Sequence, residues 1–178
     1  DQSRPHSIGR VSAYFGQFLM EVRALTYLLA FGREKMATIS RYAVLNANYV
    51  QARLRDVLPP AHDRPCMHEC VLTAQKYKQY GVRALDLSKR LIDYGFHPPT
   101  NYFPLIVPEA FMIEPTETEC KETLDAFCDA LISICHEAES EPDSLHDAPS
   151  SQVVGRLDEA AAVKQLDVRW RPKQAVAL

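Results

Sequence analysis

Apolar residues at Ile8, Val11, Phe15, Phe18, Val22, Leu25 and Leu29 recur at steps of three and four, which marks one face of an amphipathic helix. The spacing predicts a helix from Ile8 to Phe31, closed by Gly32, where a left-handed cap costs least. A second stripe runs through Met36, Ile39, Ala43, Ala47, Val50, Leu54 and Val57. It predicts a helix from Glu34 to Leu58, stopped by Pro59 and Pro60, because proline lacks the backbone donor and restricts the residue before it. So short a connection between two long helices predicts an antiparallel or steeply crossed pair. Asn46 and Asn48 fall in mid-helix, where asparagine is a poor former. They read either as exposed polar positions or as amides that bond a partner chain or domain.

The period then shortens. Residues 66–73, "CMHECVLT", alternate and predict a strand. "LDLSKRLIDYG" predicts a short helix with Asp86 as N-cap, Leu87 and Leu91 inward, and Gly95 as the C-terminal cap with Phe96 in apolar contact. "NYFPLIV" and "EAFMIEP" predict two short extended runs, with Pro104 and Pro108 arguing for edges or bulges. Thr116 and Glu119 then have capping-box spacing ahead of a stripe through Leu124, Phe127, Leu131, Ile134 and Ala138. On that reading Glu117 and Glu119 sit in a first helical turn, where the dipole favours anions, and Glu114 is left without a structural role. "ESEPDSLHDAPSSQ" reads as a loop or linker, "GRLDEAAAVKQLDVRW" as a helix with an extended end at Trp170, and "RPKQAVAL" as a frayed tail. Strands gathered into one small, mostly antiparallel sheet with helices on one side make an α+β layer.

Composition narrows the classes. The 178 residues carry 47% hydrophobic and 24% charged side chains, ordinary for a globular domain. A net charge of -3 and a pI near 6.1 give no nucleic-acid footprint. No apolar run is long enough for a membrane span, and "DQSRPHSIGR" lacks signal-peptide architecture. A start without Met leads us to expect a processed product or a piece of a longer chain. The five cysteines, an odd number, read as cytosolic thiols rather than a disulfide framework. The spacing of Cys66, His68 and Cys70 is wrong for a zinc knuckle, so no metal is expected. Cys128 and Cys135 lie seven apart on one helix face and are expected to fill core.

Dinucleotide and Walker loops, nucleophile elbows and H-E-x-x-H zinc motifs do not occur in the sequence. What carries further is resemblance. "SIGRVSAYFGQF", "AVLNANYVQARL", "CMHECVL", "LIDYGFHPPTNYFPLIVPEAFMIEPTETECKETLDAFCDALISI" and "RLDE…VRW" resemble the C-terminal part of the glycine dehydrogenase (decarboxylating) family. This is the P-protein of the glycine cleavage system, and the likeness is greatest to the second subunit of its bacterial two-subunit form. The match runs from about Ser7 to Trp170.

The resemblance implies the small C-terminal domain of a fold type I pyridoxal-phosphate enzyme, an oxidoreductase of glycine catabolism in the bacterial cytoplasm. In that family the cofactor serves as electron sink, glycine loses carbon dioxide, and the aminomethyl group passes to the lipoyl arm of the H-protein. None of Lys35, Lys76, Lys78, Lys89, Lys121, Lys164 and Lys173 matches the family's cofactor-lysine motif. The chain alone is therefore expected to be inactive, with the large pyridoxal-phosphate domain, the other P-protein subunit, the lipoylated H-protein and glycine as partners. Neither nucleic acid nor membrane is expected. The expected division is a linking helix over 1–32, a small α+β domain over 33–140, and a linker and tail over 141–178.

The resemblance also implies candidates in the substrate cleft: His97, Glu114, Thr116 and His68. For His97 a helix-capping loop role stands beside orienting a substrate carboxylate or relaying a proton. For Thr116 the alternative is the cap, and for His68 strand packing. Arg10, Asn46 and Asn48 are candidates for a domain or subunit junction. A non-catalytic helical interaction or oligomerisation module is the competing reading.

Overall fold

The computed structural model describes residues 3–12 and 14–169, so the expectations for Trp170 and the tail lie outside the described residues. Helix α1 runs from Phe18 to Leu54 and is interrupted at Gly32, which takes φ 67° and ψ 168°. That conformation is open essentially to glycine alone. Tyr27 and Asn46 lie on opposite sides of the break, yet both reach the turn at 116–119. A straight helix would hold them about 28 Å apart. Their side chains, the two hydrogen bonds and Glu117 together span at most about 23 Å. The helix therefore bends sharply at Gly32, in keeping with the steeply crossed pair that the sequence predicts.

The first helix starts later than its apolar stripe suggests. Residues 8–12 and 14–17 are not helical, and Gly9 and Gly16 take φ of +88° and +94°. The apolar positions Ile8, Val11 and Phe15 continue the stripe in sequence although the backbone there is not helical. Ile8, Phe15, Phe18, Leu25 and Leu29 are all exposed. The second half of α1 supplies Ala47, Val50 and Leu54 to the core.

Strands β1 (Cys70–Thr73), β2 (Thr100–Asn101) and β3 (Ala110–Ile113) form one antiparallel sheet in the order β1-β3-β2. Strand β1 is half as long as the alternation over 66–73 predicts. Cys70 already pairs with Ile113, so residues 66–69 would need residues 114–117 opposite them. Pro115 has no N–H to continue that ladder. Asn48 also takes both backbone groups of Cys66, donating to its carbonyl and accepting from its N–H.

Of the run 101–107 only Asn101 lies in a strand. After Asn101 the chain turns away at Tyr102 (φ 59°) and returns at Glu109 (φ 48°), leaving Leu105 and Ile106 exposed. Between β1 and the next helix, Gln75–Tyr80 winds into a short 3-10 helix that the sequence pattern does not reveal. It buries Tyr77, whose hydroxyl donates to the Val57 carbonyl at 2.8 Å.

Helix α2 spans Ala84–Asp93. Asp86 is its third residue rather than its N-cap, and accepts the Arg83 N–H at 2.8 Å from inside the first turn. Gly95 (φ +84°) and Phe96 donate to Ile92 and Leu91, closing α2 with a Schellman motif.

Helix α3 runs from Lys121 to Ser140 with Cys120 as N-cap. The Thr116–Glu119 pair therefore does not cap it. Those residues form a turn of their own, in which Glu119 N–H donates to the Thr116 carbonyl. Glu117 and Glu119 precede the helix, and Glu122 occupies its first turn. The α3 stripe buries Leu124, Cys128, Leu131, Ile134, Cys135 and Ala138 in the core that it shares with α1, α2, β1 and β3.

The stretch whose composition reads as a linker packs on this core. It contains α4 (Pro142–His146) and buries Leu145 and Ala148. Arg156 holds it down, donating to the Ala148 and Leu145 carbonyls and to Asp86 at 2.7 Å. Helix α5 covers only Glu159–Lys164, with Asp158 accepting from Ala161 N–H. Among the described residues no helix is long and apolar enough to cross a membrane.

Candidate functional site

Two chain segments meet because β2 and β3 are neighbours. Phe96 ends the Schellman turn of α2, and His97, Pro98 and Pro99 lead from it into β2. Strand β3 runs antiparallel and leaves the sheet at Ile113, with Thr100 opposite Met112. The residues entering β2 thus lie beside Glu114 and Pro115, which leave β3. The side of α3 closes the third wall with Thr123 and Phe127, and Glu119 comes from the preceding turn. The result is a cavity of about 370 Å³ that holds His97, Glu114 and Glu119 together with the three prolines. Phe96 and Phe127 meet edge to face within its wall, centroids 5.6 Å apart.

Of the residues singled out from sequence, the fold gathers three. His97 and Glu114 line the cavity. His68 sits just before β1, its Nε2 3.8 Å from Glu114 Oε1, both side chains more than half exposed. The pair is ionic whenever the imidazole is protonated. His97 caps nothing, since the end of α2 is closed by backbone bonds of Gly95 and Phe96. Among the described residues neither of its ring nitrogens has a partner.

Thr116 is elsewhere. Its hydroxyl meets that of Thr118 at 2.7 Å, and its carbonyl accepts from Asn46. Asn46 is buried and donates to the carbonyls of Thr116 and Glu119, while Asn48 brackets Cys66. Both amides tie loops of this chain to α1 instead of being exposed. Arg10 is exposed in the non-helical arm. Glu119 is the site residue that sequence reasoning missed. Its capping-box spacing explained it away, and only the turn at 116–119 brings it to the cavity.

The thiols take no part. Cys70, Cys128 and Cys135 are buried, and burial pushes their pKa values up to about 12, 11 and 11. Among the described residues no cluster of His, Cys, Asp or Glu has the arrangement of a metal site.

The cavity can also be tested against pyridoxal phosphate, which the resemblance implies. That cofactor needs an amine for its aldehyde and cationic or N–H donors for its phosphate. Among the described residues no lysine or arginine lines the cavity. Lys76 faces Glu139 and the Tyr77 ring, Lys78 faces Glu109, and Lys121 bonds Asp125. The donor set is acidic and aromatic, and does not fit the cofactor on its own.

Residues 39–154 match the family described as glycine dehydrogenase, C-terminal domain. Over 170 residues the chain is 52% identical to the probable glycine dehydrogenase (decarboxylating) subunit 2 of Halalkalibacterium halodurans, covering 96% of this chain and 35% of that protein. The protein of the same name in Lysinibacillus sphaericus is 52% identical over 171 residues, with the same coverage of 96% and 35%. The chain thus spans about 35% of the length of the curated relatives it matches. Its fold is similar to a crystal structure of glycine decarboxylase (P-protein) of the glycine cleavage system in inhibitor-bound form. That likeness has a TM-score of 0.57 at 21% identity, over 74% of this chain and 29% of the other.

Proposed function

The chain belongs to the family of glycine dehydrogenase C-terminal domains, and we propose on that premise that it is the C-terminal part of a glycine dehydrogenase (decarboxylating). The observation that carries this reading is identity of 52% along 96% of the chain to proteins of that name. In such an enzyme pyridoxal phosphate supplies the electron sink for loss of the glycine carboxylate. The amine that holds it comes from sequence other than these residues. The complete enzyme works with a second subunit, and passes the aminomethyl group to a lipoylated H-protein in the bacterial cytoplasm.

On this reading the chain forms one wall of the cleft and does no covalent chemistry itself. His97 presents two unpaired ring nitrogens beside Glu114, and can orient a polar group or hold a proton there. His68 stands 3.8 Å from Glu114. The apolar arm before Gly32 is the linking segment, and its exposed Ile8, Phe15, Phe18, Leu25 and Leu29 suit burial against the rest of the enzyme. The same surface would serve an interaction module without chemistry, which is the second reading.

Complementation separates the two. The chain is joined to the preceding two-thirds of a relative's subunit 2 and supplied with subunit 1, cofactor and lipoylated acceptor. Glycine decarboxylation is expected to return, and to fall when His97 is replaced by Ala. Restored structure without glycine turnover would favour the interaction module.

A further inference from the structure

The cavity beneath His97 has a charge and shape that select among ligands, independently of any assignment to glycine chemistry. Glu114 and Glu119 bring two carboxylates to it, and among the described residues no lysine or arginine lines it. The partner of Glu114 is the His68 imidazole at 3.8 Å, with both side chains more than half exposed. Glu119 has no cationic partner among the described residues.

The start of α3 lies close by and would ordinarily favour an anion. Here Glu122 already occupies that first turn, its carboxyl held below its usual range by its own backbone N–H and the Cys120 thiol. An anionic ligand would meet two carboxylates in the lining and, among the described residues, no lysine or arginine there.

The remaining wall is apolar. Phe96 and Phe127 meet edge to face, and such rings attract a cation over their faces and offer apolar surface to an aliphatic chain. Pro98, Pro99 and Pro115 add rigid surface without backbone N–H groups that would need a polar partner. A volume of about 370 Å³ suits a small organic molecule rather than an ion or a protein segment.

We propose that this cavity binds a primary ammonium carried on an apolar stem. Glu114 and Glu119 hold the ammonium, and the Phe96–Phe127 pair takes the stem. His97, with both ring nitrogens unpaired, accepts from the ammonium or donates to a polar atom further along the stem.

The test is an amide NMR titration of the 178-residue chain at pH 8 with three isosteric probes: n-butylammonium, 1-butanol and butyrate. The expected result is saturable, one-to-one binding of butylammonium, with shifts at residues 96–100 and 113–119. Its affinity should exceed that of butanol and butyrate by about tenfold or more, the scale of one charge-assisted contact. Glu114→Gln and Glu119→Gln should each weaken butylammonium and leave butanol unchanged. Both side chains are exposed, so the folded spectrum of each variant serves as the control. Equal binding of butanol would show an apolar slot without charge selection and overturn the proposal. So would preference for butyrate, or the lack of saturable shifts at these residues with any probe. The comparison of probes on the unmodified chain decides the matter even if a variant fails to fold.

Discussion

The Asn46 side-chain amide donates to the Thr116 carbonyl at 2.9 Å, across 70 residues of sequence. The same nitrogen stands 3.5 Å from the Glu119 carbonyl. One buried side chain therefore fixes the turn that carries Glu119 into the cavity, and fixes it to the half of α1 that packs in the core. Loss of this donor leaves the Thr116 and Glu119 carbonyls without their bond to the buried Asn46 side chain. Asn46→Ala is expected to lower unfolding free energy by about 1–3 kcal/mol. Asn46→Asp, which sets a carboxylate against the same carbonyls, should cost more. Urea titration of the three proteins measures both.

The sequence told most where one residue type has one physical use. Gly32 after an apolar stripe foretold the sharp bend, Gly95 and Phe96 the Schellman turn, and the period of α3 its buried face with Cys128 and Cys135. It misled where a local pattern competes with a distant contact. Thr116 and Glu119 have capping spacing, yet Asn46 holds their carbonyls and the helix starts later at Lys121. Residues 66–69 alternate like a strand, yet Pro115 ends the ladder they would join. The site was half legible: His97 and Glu114 were named singly, but their meeting depends on the β2–β3 pairing, which short strands do not announce.

Gly32 is the second point at which one residue sets the architecture. Its φ of 67° with ψ of 168° is closed to side-chain-bearing residues, although a Cβ there would meet open space. Gly32→Ala should therefore act through backbone strain of about 1–3 kcal/mol and not through a clash. The strain is relieved by straightening α1, which removes the Tyr27 hydroxyl from Glu117, now 2.5 Å away. Small-angle scattering is expected to show a longer particle for the variant, with the core stability little changed. An unaltered profile would mean that contacts of the arm, not the glycine, make the bend.

The segment after α3 is pinned by Asp93, which accepts from the backbone N–H and hydroxyl groups of Ser150 and Ser151 and from Arg90. Burial alone would raise its pKa. The bonds from Ser151, Ser150 and Arg90 outweigh burial and bring it down to about 2. Because the folded value lies below the unfolded one near 3.8, the contribution is complete above that pH and is lost as pH falls towards 2. Asp93→Asn should cost roughly 1–3 kcal/mol at neutral pH. Its effect should vanish below about pH 2. Amide exchange at Ser150 and Ser151, followed against pH, reads the release directly.

Cysteine reactivity reports the packing of the core. Cys70, Cys128 and Cys135 are buried with raised pKa values, and Cys120 is exposed at the start of α3. At pH 8 a disulfide reagent such as Ellman's is expected to label Cys120 within the folded chain, Cys66 slowly, and the three buried thiols only after denaturation. Prompt reaction of all five would contradict the burial of Cys70, Cys128 and Cys135 in the core.

The most direct measurement of the whole account is release of labelled carbon dioxide from carboxyl-labelled glycine. It uses the purified 178-residue chain with pyridoxal phosphate and a lipoylated acceptor. The cavity lacks an amine and a phosphate seat among the described residues, so the chain alone should release none. Joined to the preceding part of a relative's subunit 2, and with subunit 1 present, it should release label in proportion to glycine. Release by the chain alone would contradict the account.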